Sequence, residues 1–136
     1  MPLQSRVRAF VRALMGVSFI IAGVLHFTHT AFYLKIMPPY LPAHLELIYL
    51  SGVLEILGGI GVFLARTRRW AGYGLAVLLV AVLPANLHMA LNQIQVTDTP
   101  TPPLLLWLRL PLQAILILLI IWCTREGNHQ QRPTPK

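Results

Sequence analysis

Four long apolar stretches limit what this chain can fold into more than any other feature. The first runs from about Ala9 to Phe27, and its pattern continues as helix toward Tyr33. The others are Leu47–Ala65, Trp70–Leu91 and Leu104–Cys123. Each approaches the ~20 residues needed to cross a hydrocarbon core ~30 Å thick. Backbone polar groups must be satisfied internally there, so each stretch reads as an α-helix. The expectation is an all-α, four-helix transmembrane bundle. It forms one domain over residues 1–126, with helices at about 9–27, 47–65, 70–91 and 104–123. Residues 127–136 are polar and proline-containing, and read as a disordered cytoplasmic tail.

Composition supports this class. Only 11% of the residues are charged and 56% are hydrophobic, whereas a soluble domain carries about 25% charged residues. The formal charge of +7 does not point to nucleic acid. The basic residues cluster at the ends of apolar stretches instead of lining one solvated face. A single cysteine, Cys123, leaves no intramolecular disulfide and no self-contained dithiol relay. The first stretch has a basic start but no small-x-small cleavage site after it, so it reads as a retained helix and not a signal peptide.

The basic residues also predict orientation. Arg6, Arg8 and Arg12 precede the first stretch. Arg66, Arg68 and Arg69 separate the second from the third, and Arg125, Arg132 and Lys136 follow the fourth. Of the 11 basic residues only Lys35 and Arg109 remain. The positive-inside rule then puts both termini in the cytoplasm and Thr28–Glu46 and Asn92–Pro103 outside. The outer loops carry Pro38, Pro39 and Pro42, and Pro100, Pro102 and Pro103, which stiffens them.

Polar residues within the stretches are the functional signal. Glu55 is the one charge among the 19 residues of Leu47–Ala65. A carboxylate there costs roughly 2.5–3.5 kcal/mol on insertion scales, so a partner, water or a proton must offset it. At 1.5 Å per residue, Glu55 lies roughly 12 Å below Leu47, and Arg109 roughly 8 Å below Leu104. Asn86 and His88 lie roughly 5–8 Å from Leu91, and His26 lies at the outer boundary of the first stretch. Ser51 and Glu55 share a helical face at i,i+4, as do Arg109 and Gln113. Turned inward, His26, Ser51, Glu55, Asn86, His88, Arg109 and Gln113 would form one cluster in the outer half of the membrane. Glu55 and Arg109, the two opposite charges within the spans, are expected to pair or to share a hydrogen-bond network. Pro84 should interrupt the third helix and free the Val80 carbonyl, and Pro111 should free that of Trp107. Gly52, Gly58, Gly59 and Gly61 suit close helix packing and place the second helix centrally. His26 and His29, at i,i+3, are a weak metal signal, and no metal site is expected.

Several motifs appear in a familiar order: Gly23-Val-Leu-His26-Phe27, Met37-Pro-Pro-Tyr40-Leu-Pro42, Ser51-Gly-Val-Leu-Glu55-Ile-Leu-Gly58-Gly59, Leu83-Pro-Ala-Asn86-Leu-His88-Met89 and Arg109-Leu-Pro111-Leu-Gln113. Together they resemble the DoxX-like family of small bacterial integral membrane proteins, over roughly Arg8 to Trp122. The resemblance implies a four-helix bundle in the bacterial cytoplasmic (inner) membrane. It also implies a membrane subunit or accessory protein in quinone-linked redox metabolism, with a membrane redox protein as partner.

The resulting expectation is a multi-pass protein with a polar pocket near the outer face. No cofactor is fixed by the sequence. A quinone would suit the pocket, and neither metal nor haem is expected. The lipid bilayer is one partner, a homo-oligomer is open, and nucleic acid is not expected. The alternative is a non-enzymatic assembly or scaffolding protein whose polar cluster is structural. A small-solute transporter ranks third, because one chain offers few pathway-lining charges. No nucleophile or cofactor motif marks an autonomous enzyme, and catalytic residues are not assigned.

Overall fold

The structure is a computed structural model, and residues 3–125 are described. The expected tail at 127–136 lies outside the described residues. The described chain is all helix and loop: α1 (Leu3–Thr28), α2 (Thr30–Ile36), α3 (His44–Gly61), α4 (Arg68–Ala81), α5 (Leu83–Leu91) and α6 (Pro103–Thr124). Four units are long and apolar enough to cross a membrane: α1, α3, the α4–α5 pair from Arg68 to Leu91, and α6. They correspond to the four apolar stretches, and they make a multi-pass four-helix architecture.

The boundaries differ where side chains compete with the backbone. Helix α1 begins at Leu3, earlier than Ala9, because Arg6 and Arg8 are good helix formers at an interface. It breaks at His29. The Thr30 hydroxyl donates to the carbonyls of His26 (2.9 Å) and Phe27 (3.1 Å), which diverts them from the helical ladder. The chain then resumes as α2. Helix α3 ends at Gly61, not Ala65. Thr67 Oγ1 donates to the Gly61 carbonyl at 2.8 Å, and Arg68 Nε to that of Val62 at 3.2 Å. These bonds satisfy the orphan carbonyls of a helix C-terminus.

The spans pack as a closed square in the order α1, α3, α4, α6. Helix α1 packs against α3 and α6, and α4 packs against the same two. The diagonal pairs α1–α4 and α3–α6 make no close backbone approach among the described residues. Glycines set the α1–α3 edge. A Cβ on Gly23 would lie 2.6 Å from the Gly52 carbonyl oxygen, and one on Gly59 would lie 2.7 Å from that of Gly16. Gly16 and Gly23, and Gly52 and Gly59, are each seven residues apart, so both helices present a small-residue stripe. The two backbones therefore approach more closely than side chains would allow. Gly58 faces Leu75 of α4, so α3 is tightly held on two sides.

Two apolar clusters hold the bundle. Met15, Phe19, Val62, Leu75, Ala76, Leu79, Ile120 and Cys123 form one toward the arginine-rich end. Ile36, Met89, Ala90 and Leu106 form the other, beneath α2. The α4–α5 break divides the third span between them. At Val82 the backbone turns, as Pro84 at the start of α5 requires. Beyond the break α5 packs on α6, α2 and α4 but not on α3, among the described residues. A gap therefore opens between α3 and α5.

Candidate functional site: a polar-walled cavity between α3 and α5

That gap is a cavity of about 420 Å³. Leu79 of one apolar cluster and Ile36 of the other both line it, so it lies between them. Its walls come from α1, α3, α4 and α5, with α2 and the turn after it as a roof. Helix α6 contributes nothing to the lining. Most of the wall is aliphatic, and the polar side chains are His26, Tyr33, Ser51, Glu55 and Asn86. Leu50, Leu54 and Ala81 line it too, although all three are exposed on the bundle surface. The cavity is thus bounded on one side by residues that face lipid.

Glu55 and His26 meet here because of how helical side chains lean. Each Cα–Cβ bond tilts toward its own helix N-terminus. Helices α1 and α3 are antiparallel, so side chains on their shared edge lean toward one another along the axis. His26 Nδ1 lies 3.5 Å from Glu55 Oε2, with both residues buried. His26 Nδ1 also bonds the Ala22 carbonyl at 2.8 Å. A carbonyl only accepts, so Nδ1 carries the proton, and in the neutral ring Nε2 is an acceptor. Glu55 Oε2 has no hydrogen-bond partner. A buried carboxylate oxygen without a donor is the least satisfied polar group of the cavity.

Tyr33 stacks on the His26 ring, with centroids 3.9 Å apart and planes at 19°. It lies on α2, outside the four spans. Burial pushes its hydroxyl pKa up, the Glu55 charge adds to this, and Arg109 opposes it. A raised acid pKa favours the neutral form, so Tyr33 remains a hydroxyl donor at physiological pH. Ser51 is one turn from Glu55 and half-buried.

Asn86 faces the cavity from α5 and is braced from behind. Its Nδ2 donates to Gln113 Oε1 at 3.0 Å, and Gln113 Nε2 donates to the Leu79 carbonyl. The amide that would normally bond Leu79 belongs to Leu83, across the helix break. The Leu79 carbonyl, freed at the same break where Pro84 withholds the helical donor of Val80, therefore gains a side-chain donor. Gln113 is buried and lies outside the lining, so it supports the site without facing it.

Two expected members lie elsewhere. His88 Nδ1 accepts from Asn92 Nδ2 at 3.0 Å, and His88 is not part of the cavity wall. Arg109 is half-buried on α6 and forms no ion pair with Glu55; among the described residues the Glu55 carboxylate instead meets the His26 ring, at 3.5 Å. The expected Glu55–Arg109 pair fails for a topological reason, since α3 and α6 are diagonal in the square. Arg109 acts on Tyr33 through space. His29 faces outward against Thr28, so it does not join His26. Helix α6 runs unbroken through Pro111. Tyr33 escaped the sequence reading because it falls beyond the first apolar stretch. The available signal was its spacing of seven from His26, two helical turns along one face.

Fold and cavity together define a multi-pass four-helix membrane protein with a polar-walled internal site. Over residues 15–124 the sequence matches the family described as Domain of unknown function (DUF8561), and the chain belongs to that family. No curated protein and no solved structure matches it.

Proposed function

We propose that the cavity binds the polar head of a lipid-soluble ligand that enters from the bilayer between α3 and α5. A quinone is the ligand class that best suits its chemistry. The observation that carries this reading is the unpartnered Glu55 Oε2 in the wall of a 420 Å³, mostly aliphatic cavity. A quinol hydroxyl would donate to that oxygen, while Tyr33, Ser51 and Asn86 would meet the second hydroxyl, or a ring carbonyl once the ligand is oxidised. The aliphatic wall would hold the ring and the first part of its tail, as ligand pockets commonly do. The protein would then act as a membrane subunit or accessory protein in quinone-linked redox metabolism, with a membrane redox protein as partner. The motif order resembling DoxX-like proteins supports that role and a bacterial cytoplasmic membrane. The arginine-rich end would face the cytoplasm and the α2 end the outside.

One observation favours a second reading. The His26–Glu55 contact bridges α1 and α3, so the cluster could be a clasp in a non-enzymatic assembly protein. Glu55→Gln separates the two, because it keeps the shape and removes the charge. Binding of a short-chain quinol to the purified protein is measured beside its thermal unfolding. A ten-fold or greater loss of binding with unchanged Tm supports the site. Unchanged binding with a lowered Tm supports the clasp.

A further inference from the structure

We propose that the arginine-rich end holds a site for the phosphate of an anionic phospholipid, formed by Arg8, Arg12 and Arg68. The three guanidinium groups come from α1 and α4: Arg8 and Arg12 reach the C-terminal end of α6, and Arg68 reaches that of α3. Arg8 Nη1 donates to the Arg125 carbonyl and Arg12 Nη1 to that of Cys123, each at 3.4 Å. Arg68 Nε donates to the Val62 carbonyl at 3.2 Å. These bonds explain why the arginines sit here, since cations favour the carbonyl end of a helix. They do not explain how the arginines tolerate each other.

Arg12 lies within electrostatic reach of both Arg68 and Arg8, and both repel it. Among the described residues no acid offsets this; Glu126, which follows Arg125 in the sequence, lies outside them. Glu46 opens α3 and Asp98 lies between α5 and α6, both at the opposite end, and Glu55 lies within the bundle. Each guanidinium has five N–H donors, and the long carbonyl contacts use few of them. Arg8 Nε is buried without a hydrogen-bond partner. An anion with several acceptor oxygens would relieve the repulsion and supply that partner. A phosphate does both, because the planar guanidinium fork matches it in two-point contacts.

The surroundings select a lipid as the source of that phosphate. Arg8 stacks over the Trp122 ring at 5.2 Å from its centroid. Tryptophan marks the headgroup level of a bilayer. Phe10 on α1 and Trp70 on α4, each two residues from a cluster arginine and so near its depth, are exposed, at 69% and 76%. They offer apolar surface to acyl chains where a dissolved ion would find none to contact.

The test is native mass spectrometry of the full-length protein in detergent, titrated with phosphatidylglycerol and with phosphatidylcholine of the same chains. The expected result is retention of phosphatidylglycerol at a several-fold lower concentration. Arg8→Gln combined with Arg12→Gln should abolish that preference, and Arg6→Gln, a change to an exposed arginine outside the cluster, should leave it intact. Equal retention of the two lipids by the wild type overturns the proposal and requires no variant. If the double variant does not fold, Arg8→Lys keeps the charge and loses the fork, and an undiminished lipid preference would count against the site. Inorganic phosphate that raises Tm as much as phosphatidylglycerol would overturn the lipid assignment.

Discussion

His26 Nδ1 lies 3.5 Å from Glu55 Oε2 across the α1–α3 edge, and the same nitrogen bonds the Ala22 carbonyl at 2.8 Å. The histidine is thus held by its own helix and does not depend on the carboxylate for its position. Glu55, in contrast, has no donor fixed on Oε2. Substitutions at the two residues should therefore differ. Glu55→Gln is expected to leave Tm within a few degrees of wild type, and His26→Ala to lower it clearly. The alanine opens a void beneath Tyr33 and removes a ring stacked at 3.9 Å. Aromatic pairs contribute roughly 0.5–1.5 kcal/mol beyond their buried area. Thermal unfolding in one detergent checks both. Equal losses would show that the contact is a mutual clasp.

The glycine stripe offers a matched pair of substitutions. A Cβ on Gly52 would lie 2.8 Å from His26 Cβ and 2.9 Å from the Gly23 carbonyl oxygen, whereas one on Gly74 would meet nothing within 4 Å. Gly52→Ala should destabilise by about 1–3 kcal/mol through overpacking. Gly74→Ala should be neutral or stabilise by up to about 1 kcal/mol through helix propensity. Chemical unfolding of both variants measures the contrast, and Gly52→Ala should also displace His26 and weaken any cavity ligand.

Gln113 is the brace behind Asn86. Gln113→Leu would strand the Leu79 carbonyl and an Asn86 N–H at the helix break. Side-chain hydrogen bonds between membrane helices average about 0.6 kcal/mol and reach about 1.7 kcal/mol. Removing this two-bond brace should cost about 1–2 kcal/mol and shift Asn86 in the cavity wall. Gln113→Glu, which keeps the acceptor oxygen but loses the amide donor, should recover less than half of that loss. Unfolding of the two variants side by side gives the comparison.

Ala43 adopts a left-handed backbone (φ 51°) just before α3. That conformation costs an L-residue roughly 1–2 kcal/mol and costs glycine almost nothing. Ala43→Gly should therefore raise stability by up to about 1 kcal/mol. The Pro38–His44 contact, where His44 Nε2 meets the Pro38 carbonyl at 3.0 Å, should remain. A higher unfolding midpoint with unchanged ligand binding is the expected reading.

Topology can be checked directly. Reporter fusions at Pro42, in the loop between α2 and α3, and at Arg66, in the turn between α3 and α4, should report opposite faces of the membrane. A common face would reject a spanning α3.

The sequence by itself determined the four spans, because lipid imposes a length and a hydropathy on each crossing independently of its neighbours. It also revealed the break near Pro84, since proline's missing N–H acts on its own helix. Glu55 stood out as costly for the same local reason. The expected Glu55–Arg109 pair depended on which helices are neighbours, and hydropathy carries no such information. The tertiary structure decided it through the glycine stripes: Gly16 and Gly23 draw α1 against Gly52 and Gly59, which seats α3 diagonal to α6. Antiparallel lean then brings His26 to Glu55. Tyr33 and the cavity emerge only when α2 folds across a gap that the bend at Val82 has opened.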